Sequence, residues 1–186
     1  MRVNRLAAVL GALLAGSGCS DPVTNPMSPE QARAQVMDAG REVIATLHAD
    51  VVRANFFFDS CSDAGQGPYR GRLRVRLWMP NADHGAAVAP ASIIDPLTAA
   101  GWQTDSDFQS HAPTLKRDGV DAVISVAPQP QGNGHAGIDL FGECRDTHDH
   151  DADRSNLPED VAPTVPDRRR RRGSGLPVPW CSSSCR

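Results

Sequence analysis

Residues 69–80 read YRGRLRVRLWMP, and this stretch decides the fold. Apolar residues occupy alternate positions from Leu73 to Met79. The other positions, from residue 72 to residue 78, hold Arg72, Arg74, Arg76 and Trp78. Successive side chains of a β-strand point to opposite faces of its sheet. The alternation therefore predicts a strand with one apolar face for a core and one arginine-rich face.

The segment before this strand predicts a helix that packs on the sheet. Ser28 is a suitable N-cap, Pro29 suits the first helical position, and Gln31 completes a capping box. Apolar residues then recur at three- and four-residue steps as far as Leu47, which makes one side of the helix apolar. We expect the helix to continue to about Val51.

The segment after the strand predicts a second helix and a hairpin. The alanine-rich stretch before Gly101 indicates a helix that either begins near Pro90 or breaks and restarts at Pro96. Asp118 and Gly119 are typical of a two-residue hairpin turn between strands. Further strands are expected at residues 56–61, 102–105, 114–117, 120–127 and 136–144.

This order of elements predicts an α+β fold, a two-layer sandwich in which two helices cover one face of a mostly antiparallel sheet. We assign the α+β domain to residues 28–146. Residues 147–186 contain few large apolar residues, many prolines, aspartates and serines, and five consecutive arginines from Arg168 to Arg172. Such a segment buries too little apolar surface to offset its ordering entropy, so we expect a disordered C-terminal tail.

The N-terminus has the parts of a secretory signal. Arg2 and Arg5 precede an apolar run at residues 6–15, and small residues then lead to Cys19. The run is shorter than the roughly 20 apolar residues of a membrane span. We therefore expect a signal peptide at residues 1–18 and a tether at residues 19–27.

The same segment resembles a bacterial lipoprotein signal. Ser17, Gly18 and Cys19 match its lipobox, whereas Gly16 stands where that family usually has an aliphatic residue. The resemblance implies that Cys19 is acylated and anchors the protein to the extracytoplasmic face of the cell membrane, because two or more acyl chains give stable anchoring. Cleavage without acylation, followed by secretion, is the alternative.

The other cysteines predict a disulfide. If Cys19 carries lipid, four cysteines remain, and four cysteines allow three pairings. A bridge between Cys61 and Cys144 is preferred because each residue ends a predicted strand. Cys181 and Cys185 could close a small ring or stay reduced.

Several constellations could carry chemistry. The cluster from His148 to Asp153 contains competent zinc or copper ligands, but a disordered segment gives them no fixed geometry, so we expect no metal site. The arginines of residues 72–76 could bind an anion, or could form a solvated sheet face or a protected sheet edge. A formal net charge of -3 suggests no nucleic-acid partner, and no cofactor motif is evident.

No catalytic motif is evident either. There is no G-x-S-x-G sequence, and His84, His111 and His135 lie in predicted loops. We therefore predict a non-catalytic domain that binds an envelope lipid, glycan or protein. A pocket that contains one of these histidines beside a carboxylate would favour an extracytoplasmic, hydrolase-like enzyme, and a pocket lined by large apolar residues would favour a lipid carrier.

The order of these features resembles that of small mycobacterial and related actinobacterial lipoproteins of the LppA type. The shared features are the lipobox, the capped first helix, Cys61 after a strand, the alanine-rich helix that ends in Gly-Trp, and Cys144 after the last strand. The resemblance covers residues 19–144. It implies an envelope location and a disulfide-linked domain, and it supplies no active site.

Overall fold

The first helix begins at the predicted cap. The structure, a computed structural model, describes residues 23–80, 87–126 and 135–165. Helix α1 spans Pro29–Leu47. The Ser28 hydroxyl accepts a hydrogen bond from the Gln31 amide at 3.3 Å, and the Gln31 side chain accepts one from the Ser28 amide at 2.8 Å. This reciprocal pair satisfies two backbone donors that the first turn of a helix leaves open.

Six strands form one sheet, and each neighbouring pair of strands is antiparallel. In spatial order they run β3-β4-β5-β2-β1-β6, so β5 lies inside the sheet although it comes late in the chain. The strands are β1 Asp50–Ser60, β2 Tyr69–Trp78, β3 Thr114–Arg117, β4 Val120–Ser125, β5 His135–Phe141 and β6 Glu159–Asp160.

The core lies between this sheet and the two helices. Leu73, Val75 and Leu77 of β2 are fully buried, as are Val36 and Val43 of α1, and all five belong to one apolar cluster. Helix α2, at Ala91–Ala99, contributes two buried residues to the same cluster. The structure therefore confirms the predicted α+β class, with two helices on one face of a mostly antiparallel sheet.

The boundary between α1 and β1 differs from the prediction. The helix ends at Leu47, because His48 adopts a left-handed conformation with φ 52° that cannot continue a helix. Strand β1 begins at Asp50, and Val51 pairs with Leu77 of β2. Residues expected in the last helical turn therefore belong to the sheet.

The region around the second helix confirms one prediction and corrects another. Helix α2 begins after Pro90 and continues through Pro96, which is the first of the two predicted alternatives. The strand predicted at residues 102–105 is wrong. Only an isolated bridge from Gln103 to Lys116 forms there, and the Trp102 side chain, 2 % exposed, packs in the core.

The prediction of a disordered tail is wrong for residues 147–165. Strand β6 pairs with the edge of β1, and Val161 and Val165 are buried in the main core. The Arg33 guanidinium on α1 pairs with the Glu159 carboxylate at 2.7 Å. A few well-placed contacts and an available sheet edge outweigh the polar composition of this segment. The remaining tail, with the run from Arg168 to Arg172, lies outside the described residues.

A disulfide joins the end of β1 to the segment after β5. It links Cys61 to Cys144, with 6.0 Å between their Cα atoms, which is the pairing preferred from the sequence. Cys19, Cys181 and Cys185 lie outside the described residues. Within the described ranges, no helix combines the length and the apolar character needed to cross a membrane.

Candidate functional site

The arginine-rich side of β2 lies on the face of the sheet opposite to the helices, here called the open face. Cross-strand pairing places Arg53 of β1 directly beside Arg76 of β2, and Asn55 beside Arg74. On the other side of β2, Gly137 of β5 stands opposite Arg76. Because β2 is an interior strand of the sheet, its arginines do not protect an edge.

Three arginines of the open face are neutralised by carboxylates of neighbouring strands. One oxygen of Asp139 accepts hydrogen bonds from Arg74 at 2.8 Å and from Arg72 at 3.1 Å. Arg70 donates to Asp59 at 3.2 Å. Aromatic rings also lie under these guanidinium groups, as in the 4.4 Å contact of Arg72 with the Phe141 ring. Two carboxylates therefore partner the three arginines in this part of the open face.

The pair formed by Arg53 and Arg76 is different. The ion pairs among the described residues include neither of these two arginines, and both side chains are exposed. Like charges directly opposite each other on neighbouring strands destabilise a sheet. The structure therefore places two cations side by side, and no carboxylate of the described residues forms an ion pair with either of them.

These two arginines border a groove of about 830 Å³ on the open face. His111 and His135 also line the groove, and Gly137 and Ser125 form part of its wall. Because Gly137 has no side chain, the space beside Arg76 stays open on the β5 side. The combination is a cationic depression of the size of a small-molecule site.

Two of the three histidines that were singled out in the sequence line this groove. His111 lies in the loop before β3, as predicted, whereas His135 is the first residue of β5 and not a loop residue. Both border the groove, which Asp139 also lines. His135 contacts the Trp78 ring edge-on at 4.8 Å between centroids. His84 lies outside the described residues. The groove therefore contains two of the predicted histidines and one carboxylate, but the hydrogen bonds of Asp139 are with Arg72 and Arg74.

A second groove of about 520 Å³ lies between the end of α1 and the start of α2. Apolar residues, among them Leu47, Met79 and Val88, form most of its wall, together with Thr46 and His48. It adjoins residues 81–86, which lie outside the described ranges. Its mixed lining differs from the fully apolar pocket expected of a lipid carrier.

Another polar cluster lies in the segment that was predicted to be disordered. His150 is 1 % exposed, with one ring nitrogen 2.8 Å from Asp146 and the other 2.5 Å from the Ser155 hydroxyl. His148 contacts Asp153 at 2.9 Å. This hydrogen bond raises the pKa of His148, while hydrogen bonds led by that from Ser155 hold the pKa of Asp153 well below its usual range.

Sequence analysis found the histidines of this cluster but missed Asp146 and Ser155. Both residues lie close in sequence to the two histidines, but this spacing indicates a site only if the loop has one fixed conformation. Ser155 contacts His150, which in turn contacts Asp146, so these three residues have the composition of a catalytic triad. However, the serine contacts Nδ1 of His150 and the aspartate contacts Nε2, which is the reverse of the arrangement in a catalytic triad, and the Ser155 hydroxyl also contacts Asp153.

Comparison with known proteins identifies the family of this chain. Residues 28–164 match the family described as "Putative lipoprotein LppJ". Proteins of that description from Mycobacterium bovis and Mycobacterium tuberculosis are each 31% identical to this chain over 169 residues, with 82% of this chain and 87% of the relative covered. No solved structure matches the chain. The predicted resemblance to mycobacterial lipoproteins is confirmed, and the chain belongs to the LppJ lipoprotein family.

Proposed function

We propose that this protein is a lipoprotein anchored through Cys19 to the extracytoplasmic face of the cell membrane, with a non-catalytic domain that binds phosphate-bearing lipid headgroups of the envelope. The observation that carries the proposal is the uncompensated pair of Arg53 and Arg76 at the groove of the open face. Guanidinium groups present fixed sets of donors that match the geometry of phosphate oxygens.

A phosphate between these arginines would remove their mutual repulsion. Direct cross-strand pairing fixes the two residues on the same face of the sheet, so their guanidinium groups can share one anion. Asp160 on the edge strand also faces this side, opposite Asn55, so this side carries two arginines at the groove and one carboxylate. The local balance of charge therefore favours an anionic ligand over a cation.

The tether is long enough for the open face to reach the membrane surface. Met27 pairs with Asp146 near Tyr69, at the end of β2 remote from Arg76. The seven residue steps from Tyr69 to Arg76 span about 23 Å of strand. Nine extended residues from Cys19 reach about 30 Å, so a domain lying with its open face on the membrane is compatible with an anchor at Cys19.

The groove favours binding over catalysis. One oxygen of Asp139 already accepts hydrogen bonds from Arg72 and Arg74. This carboxylate is therefore committed to the two arginines as their ion-pair partner. An extracytoplasmic enzyme that uses His111 or His135 is the second candidate, supported by the presence of both histidines in the groove.

The anchor is tested by intact mass spectrometry of the membrane-extracted protein beside a Cys19→Ala variant. We expect a diacylglycerol-type mass increment on the wild-type chain and its absence from the variant, because only a Cys thiol at this position can receive the lipid. A wild-type chain that is cleaved before Cys19 and released without lipid contradicts the anchor.

The groove is tested by titration with inorganic phosphate, monitored by NMR on the chain from residue 19 with Cys19→Ala. We expect the amide signals of Gly137 and Ser125 to shift, and the added Arg53→Gln and Arg76→Gln changes to weaken binding about tenfold or more, since a hydrogen bond to a charged group contributes about 1.5–3 kcal/mol. Arg41→Gln, an exposed arginine on α1, is the matched control.

The source of the phosphate is tested with vesicles. Vesicles of phosphatidylglycerol in phosphatidylcholine should bind the wild-type domain more tightly than the doubly substituted domain, and inorganic phosphate should compete. The arginines at 168–172 are present in every variant, so their non-specific attraction cancels in the comparison. If the doubly substituted domain binds inorganic phosphate as tightly as the wild type, the groove is not the phosphate site. If the substitutions weaken phosphate binding but leave vesicle binding unchanged, the bound phosphate does not belong to a lipid headgroup.

A further inference from the structure

Three metal-competent side chains converge in the segment after β5. His148, His150 and Asp153 each offer one donor atom, and these atoms lie within 4.8 Å of one another. His148 and Asp153 are already in contact at 2.9 Å. The rings of His148 and His150 lie 4.9 Å apart between centroids. Two imidazoles and one carboxylate are a donor set that zinc and similar divalent cations prefer.

The buried histidine has the support that a metal ligand requires. One ring nitrogen of His150 lies 2.8 Å from a carboxylate oxygen of Asp146, which is itself fully buried. The other oxygen of Asp146 accepts a hydrogen bond from the His148 amide at 2.9 Å. A carboxylate behind a histidine fixes the tautomer and orientation of a metal-binding imidazole. Asp146 therefore directs the second ring nitrogen of His150 toward the cluster.

Packing holds this arrangement on the domain. The His150 ring stacks on Phe58 of β1 with 3.6 Å between centroids and 8° between planes, and Tyr69 of β2 contacts it edge-on. The backbones of Tyr69 and Asp146 exchange hydrogen bonds of 2.7 and 3.0 Å. Elements distant in sequence thus fix the position of His150, whereas His148 and Asp153 are 49% and 48% exposed and can adjust.

We propose that His148, His150 and Asp153 form a binding site for a divalent transition-metal cation of the zinc type. The Nδ1 atom of His150, the Nε2 atom of His148 and a carboxylate oxygen of Asp153 are the ligands, and Asp146 orients His150. A water molecule or the Ser155 hydroxyl completes the coordination. This site is independent of the phosphate groove, and it reverses the expectation that this segment binds no metal.

Small side-chain movements suffice to close the site. Zinc bonds to nitrogen and oxygen of about 2.0–2.1 Å place tetrahedral ligand atoms about 3.4 Å apart. The observed maximum of 4.8 Å therefore has to shorten by about 1.4 Å, and the two exposed side chains of His148 and Asp153 are the ones free to move. The Ser155 hydroxyl lies 2.5 Å from Nδ1 of His150 and also contacts Asp153, so it must move aside or join the coordination when a cation binds.

The site is tested with Zn²⁺ and Co²⁺ on the untagged, metal-stripped chain from residue 19 with Cys19→Ala. We expect one Zn²⁺ per chain by calorimetry and a rise in the unfolding temperature, because a ligand that binds only the folded state stabilises it. The Co²⁺ form should show d–d absorption without a thiolate charge-transfer band. This spectrum distinguishes the proposed site from binding by Cys181 and Cys185.

Two exposed ligands supply the decisive variants. His148→Ala and Asp153→Ala should each weaken Zn²⁺ binding by about tenfold or more, a loss at least as large as that usual for outer-shell changes, and both should remain folded. His111→Ala, an exposed histidine elsewhere in the domain, should bind like the wild type. The proposal is overturned if the chain does not bind one Zn²⁺, or if the Co²⁺ spectrum shows thiolate ligands. It is also overturned if the His148→Ala and Asp153→Ala variants bind Zn²⁺ as tightly as the wild type.

Discussion

Replacing Cys61 and Cys144 together by serine is expected to lower the free energy of unfolding by about 4.6 kcal/mol, on the chain-entropy model of disulfides. The bridge joins residues separated by 83 positions, so it removes many extended states from the unfolded ensemble. The measurement is urea denaturation of both proteins, followed by circular dichroism. The loss should appear as a lower midpoint concentration of urea.

The tail cysteines provide the matched control. Changing Cys181 and Cys185 to serine should leave the urea midpoint of the chain unchanged, because the disulfide that closes the long loop of the domain does not involve them and the core of the described residues is complete at Val165. A wild-type midpoint in the Cys61→Ser, Cys144→Ser protein would show that this bridge does not constrain the unfolded chain. It would also remove the main stabilising role assigned to it here.

The second large effect is expected at the contact between α1 and β2. Leu73 is fully buried under the helix, and a Cβ atom built on Gly40 would overlap its Cδ2 atom. Leu73→Ala should reduce the free energy of unfolding by about 2–5 kcal/mol, because it leaves a cavity in the core. Urea denaturation measures this loss directly.

Gly40→Ala turns the same contact into a sharper test. In the wild type, the added methyl group overlaps Leu73, at an overpacking cost of about 1–3 kcal/mol, and the gain in helix propensity of up to about 1 kcal/mol offsets it only in part. In the Leu73→Ala background the methyl group enters the cavity, so Gly40→Ala should stabilise that protein by about 1 kcal/mol. Additive effects of the two changes would contradict the close packing described here.

Local signals in the sequence predicted most of the fold. The capping box at Ser28 sets the start of α1, and the left-handed conformations of Asp118 and Gly119 form the turn that their sequence indicates. The alternation along β2 assigned its buried and open faces correctly. These features depend on neighbouring residues and on backbone geometry, so they need no knowledge of distant parts of the chain.

The C-terminal segment shows where local signals fail. Residues 147–165 are polar in composition, and their order depends on the open edge of β1, on Arg33 and on the aromatic surface of Phe58. None of these partners is close in sequence. For the same reason, the sequence alone suggested that the histidines around His148 lack a fixed geometry.

The sequence by itself determined both helices, most strands of the sheet and the arginine-rich character of β2, because spacing and residue type encode them directly. Only the tertiary structure decided that Arg53 faces Arg76 and that Asp146 supports His150. Strand register and the docking of a polar segment join residues far apart in the chain. Such contacts depend on the summed packing of the whole domain, so both proposed sites emerge only after the chain has folded.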